Sequence, residues 1–138
     1  MQQLTQEILR LCREYGECRV EAERMEEARR VKNALESVCA MARQRLDISD
    51  PALLLALLDA CEVTRDEGML QEVLDVVGRN LDRLAVSAES VKLLACCYYY
   101  VEEEECVERA GRMLEELRKM GRGEEELADV ETILEELT

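Results

Sequence analysis

Apolar side chains recur at three- and four-residue steps along almost the whole chain, the spacing that keeps them on one face of an α-helix. Leu4, Ile8, Leu11, Cys12 and Tyr15 form the first stripe, and Gly16 behind it predicts a helix from about Leu4 that ends near Tyr15. Met25, Ala28, Val31, Leu35, Val38, Ala42 and Leu46 form the second, over a polar face with Glu21/Arg24, Glu26/Arg30 and Glu27/Arg30 pairs; one long helix is predicted from about Cys18 to Leu46. Asp50 and Pro51 then make a strong helix start, because the carboxylate can accept from first-turn amides and proline has no amide to leave unsatisfied. The third helix, to about Val63, carries only Asp59 and Glu62 as charges, which predicts burial on most sides.

Asp66 predicts the cap of a fourth helix with Leu70, Val73, Leu74, Val77, Leu81 and Leu84 on its apolar face. Ser87 or Ser90 predicts the cap of a fifth through about Val101, and Cys106, Ala110, Met113, Leu114, Leu117 and Met120 mark a sixth. A seventh from Glu124 is predicted by Leu127, Val130, Ile133, Leu134 and Leu137. Val91 to Val101 has some strand character, but a lone strand would have no partner for its backbone hydrogen bonds. The expected fold is therefore all-α, with about seven helices in antiparallel hairpins, arranged as an α-solenoid or an irregular helical bundle.

Sliding the chain by 36 residues lays Leu58 on Leu94, Ala60 on Cys96, Cys61 on Cys97, Leu70 on Cys106, Leu74 on Ala110, Val77 on Met113, Leu81 on Leu117 and Leu84 on Met120. In both copies an almost wholly apolar helix precedes an acidic turn and an amphipathic helix, which is what stacked hairpins need to share a core. This pattern, over about Asp50 to Gly121, resembles the tetratricopeptide and pentatricopeptide class of α-solenoids. Where the tetratricopeptide pattern has small and aromatic residues in its first helix and a spaced alanine and proline in its second, this sequence has Tyr98, Tyr99 and Tyr100, then Ala110 with no proline in the second helix, and armadillo or HEAT hairpins stay open. The resemblance implies a scaffold or adaptor that binds other proteins.

Charge divides the chain. Residues 1–48 carry nine acidic and nine basic side chains, so the whole net charge of −14 belongs to the remainder. With 48% hydrophobic residues, the 138-residue chain is too apolar for disorder and long enough for one domain. That domain is read as a near-neutral hairpin (1–48), two acidic helix pairs (49–121) and a last helix (122–138). The polar start and the lack of a 20-residue apolar run predict a soluble intracellular protein, cytoplasmic or nuclear, with no membrane partner.

There is no histidine, which removes the usual general base and the Ser/His and Cys/His nucleophile pairs, so no enzyme and no catalytic residue is expected. The seven cysteines are odd in number, form no CxxC pair and fall mostly on apolar faces; buried free thiols are expected, with no metal and no cofactor. Glu102 to Glu105 suit a helix start rather than a calcium loop. Acidic surface argues against direct nucleic-acid binding. The expected function is protein binding: Leu53, Leu57, Tyr99 and Tyr100 are the candidate groove for a basic or amphipathic helical segment, and Leu127 and Leu134 a candidate surface on the last helix. Self-association into a homo-oligomer and mimicry of nucleic acid are the alternatives.

Overall fold

A computed structural model describes residues 2–121 together with 128, 131, 132, 135 and 136. Among the described residues are six α-helices and no strand: α1 (Gln2–Cys18), α2 (Met25–Arg43), α3 (Pro51–Thr64), α4 (Glu67–Arg79), α5 (Ala88–Val101) and α6 (Glu104–Lys119). Short 3-10 turns, Ala22–Arg24 and Leu81–Arg83, precede α2 and follow α4. The predicted seventh helix falls largely outside the described residues.

The caps follow from side-chain chemistry. Asp50 accepts from the Leu53 amide at 3.3 Å, Asp66 from Met69 at 3.0 Å, and Ser87 from Ser90 at 3.1 Å. Ser90 is itself fully buried and sits 3.0 Å, hydroxyl to hydroxyl, from Ser87. Both apolar helices end in the left-handed region, α3 at Arg65 (φ 58) and α5 at Glu102 (φ 53). Such residues carry a Cβ clash that glycine lacks. Replacing each by glycine (Arg65→Gly, Glu102→Gly) is expected to add about 1 kcal/mol and raise the thermal midpoint by roughly 3–5 °C per site in a circular-dichroism melt.

The helices form two layers. α1, α3 and α5 lie side by side in a row, while α2 packs on α1 and α3, α4 on α3 and α5, and α6 on α5. α3 is thus enclosed by α1, α2, α4 and α5, which is why it can be apolar nearly all round. Leu53, Leu54, Leu57, Val73, Val91, Leu93 and Leu94 are fully buried in the shared core.

Arrangement of α3–α4 recurs in α5–α6 with an offset of 37 residues. Pro51–Thr64 maps onto Ala88–Val101, the cap Asp50 maps onto the cap Ser87, Asp66 maps onto Glu103, whose side chain makes no capping hydrogen bond, and left-handed Arg65 maps onto left-handed Glu102. Burial agrees in the same register: Leu54 with Val91, Ala56 with Leu93, Leu57 with Leu94, Met69 with Cys106, Val73 with Ala110 and Val77 with Leu114. The 36-residue register read from apolar positions is therefore corrected by one.

Ion pairs tie the second layer together. Arg43 at the end of α2 donates to both carboxylate oxygens of Glu72 on α4, at 2.8 and 2.6 Å, and lies 3.7 Å from Asp66. This holds the Glu72 carboxyl below its usual range. One hairpin later Arg109 on α6 reaches the Asp82 carbonyl at 3.3 Å and its carboxylate at 3.6 Å. Glu72 and Arg109 occupy equivalent positions, so the clasp recurs with its charges exchanged.

Candidate interaction face

The row α1–α3–α5 presents a continuous face to solvent. On α3 it bears Leu55, Asp59 and Glu62, at i, i+4 and i+7; on α5 the equivalent positions are Lys92, Cys96 and Tyr99. Asp59 and Glu62 are exposed, and Leu55, Lys92 and Cys96 are half-buried. Burial first, then the Asp59 charge, raises the thiol pKa of Cys12 on α1 and of Cys96 on α5. Burial, then Glu62, raises the Asp59 carboxyl itself above the usual range.

The face ends at the three tyrosines. Tyr98 packs against the core, Tyr99 is 71% exposed, and Tyr100 is half-buried. The rings of Tyr99 and Tyr100 meet edge to face, with centroids 5.2 Å apart and planes at 86°. Beside them lies a depression of about 330 Å³ where Cys61, Glu62, Arg65, Asp66, Glu67 and Leu70 approach from the α3–α4 turn. Burial, then the Glu62 charge, raises the Tyr100 hydroxyl pKa.

Of the groove residues expected from sequence, only the tyrosines reach this surface. Leu53 and Leu57 are fully buried, which corrects their assignment: they point into the core between α3 and its neighbours and can touch no partner. Leu127 and Leu134 lie outside the described residues. Asp59, Glu62 and Leu70 were not singled out as binding residues, although Asp59 and Glu62 are the only charges on α3 and so mark its solvent side.

All seven cysteines are free; Cys18, Cys39, Cys61, Cys97 and Cys106 are buried. Burial pushes the thiols of Cys39, Cys61 and Cys97 up to about 12 and that of Cys12 to about 11. These thiols stay protonated and unreactive near neutral pH. Among the described residues no three Cys, Asp or Glu side chains are arranged to hold a metal ion, and no helix is long and apolar enough to cross a membrane.

Compared with known protein families, curated proteins and solved structures, the chain matches none.

Proposed function

We propose that this protein is a non-enzymatic helical-repeat module that binds a basic, amphipathic helical segment of another protein along the α1–α3–α5 face. The observation that carries this reading is Tyr99, an aromatic ring left 71% exposed and set edge-on against Tyr100, beside a depression where the three carboxylates of Glu62, Asp66 and Glu67 outnumber the one guanidinium of Arg65. Tyrosine gives large contact area with little rotamer freedom to lose, and the carboxylates favour a cationic partner and speed its approach.

The test begins with affinity capture from cell extract at low and high salt, followed by calorimetry on the purified partner. Tyr99→Ala is expected to weaken binding by about tenfold or more while leaving the thermal midpoint unchanged, because the ring is largely in solvent. An affinity that this substitution leaves intact overturns the face. Binding abolished by salt and displaced by nucleic acid supports the acidic mimic in its place.

A further inference from the structure

A second surface lies at the far end of the helix row. α1 packs on both α3 and α2, and beside α2 lies a depression of about 700 Å³ lined by Leu4, Glu7 and Arg10 from α1, Val38 and Met41 from α2, and Arg45 from the turn that follows α2. Met41, 58% exposed, lines it together with half-buried Leu4 and Val38.

Charge selects the occupant. Residues 1–48, which build this surface, balance nine acidic against nine basic side chains, whereas every uncompensated negative charge lies in residues 49–138. Two copies meeting through the later helices would set like charge against like. Two copies meeting through α1 and α2 bring neutral hairpins together and keep the acidic parts apart, where salt screens them beyond about 10 Å. Glu7 and Arg10 in the depression are already paired with each other, and Arg10 with Glu14, within α1, so a second copy meets no unpaired carboxylate there. A basic partner is drawn to the acidic half instead, and an acidic one gains nothing from a neutral surface.

We propose that the α1–α2 face is the interface of a twofold homodimer, with Met41 at its apolar centre. The dimer leaves the tyrosine face free, because α5 lies on the opposite side of α3 from α1. It would give a bivalent binder, though the interface stands independently of the partner reading above.

Sedimentation velocity on the full chain, from about 1 to about 500 µM, tests it. The wild type is expected to pass from the 15.8 kDa monomer to twice that mass. Met41→Glu and Met41→Lys are both expected to weaken the dimer by about 30-fold or more, since either charge must be desolvated at the centre of the contact. The lysine variant separates this from repulsion between acidic chains, because it lowers the net charge. Val20→Glu, at a 76% exposed position in the α1–α2 turn, is expected to dimerise as the wild type does. A wild type that stays monomeric at the highest concentration, or a dimer that both Met41 variants leave intact, overturns the proposal.

Discussion

Raising the pH from about 8 to about 10 is expected to remove about 4–6 kcal/mol of folding stability through three buried thiols alone. Cys39, Cys61 and Cys97 are at most 4% exposed, and burial raises each thiol pKa to about 12. In the unfolded chain the same thiols ionise near the ordinary cysteine value of about 8.5–9. Below that value both states hold the proton and the folded state loses nothing. Above it the unfolded chain releases protons that the folded chain keeps, so stability falls with rising pH until the folded value near 12 is reached, by about 1.4 kcal/mol per thiol per pH unit. Domains of this size have only about 5–15 kcal/mol in total, so the loss is large. Urea unfolding under reducing conditions at the two pH values measures it. Cys39→Ala with Cys61→Ala is expected to remove two of these three contributions and so to flatten the pH dependence, but not to abolish it, because Cys97 and Cys12 still contribute. An unchanged slope in that variant would show that other groups drive the alkaline loss.

Leu57→Ala is expected to destabilise the fold by about 3–4 kcal/mol, near the upper part of the range for buried leucines. The side chain is fully buried on α3, and α1, α2, α4 and α5 surround that helix. A cavity held open by four packed neighbours relaxes little, so the lost contacts are not recovered. Leu94→Ala at the equivalent place on α5 is expected to cost about 2–3 kcal/mol, because α5 has fewer flanking helices. Leu55→Ala, half-buried on the open face, is expected to cost about 1 kcal/mol. Chemical denaturation with matched m-values separates the three; a Leu57 variant no weaker than the Leu55 variant would contradict the central position of α3.

Where a single side chain dictates a local hydrogen bond, the sequence was easy to read. Asp50, Asp66 and Ser87 each accept the amide three residues on, as their type and position imply. Helix ends without such a residue were harder. Gly16 lies inside α1, which runs on to Cys18, because a glycine permits a helix end without requiring one. The long second helix instead begins at Met25 after a 3-10 turn and stops at Arg43, with no glycine or proline to announce either boundary. The repeat register slipped by one because apolar stripes alternate steps of three and four, so a shift of a single residue still lays many apolar positions on one another. The capping residues have no such tolerance and fix the offset at 37.

The candidate surface was legible at Tyr99 and illegible at Leu53 and Leu57 for a related reason. On α5, Tyr99 shares a helix face with Lys92 and Cys96, and a lysine marks the solvent side. On α3 nearly every position is apolar, and which of them is covered depends on helices that arrive from elsewhere in the chain.

The exchanged charges of the two clasps give the hairpins a fixed order. Were α5–α6 seated in the place of α3–α4, Arg109 would face Arg43; were α3–α4 seated one place later, Glu72 would face Asp82. Each misplacement replaces an attraction by a repulsion of similar size. Two hairpins alike in arrangement and burial are thereby kept from standing in for one another, within one chain or between neighbouring copies during folding.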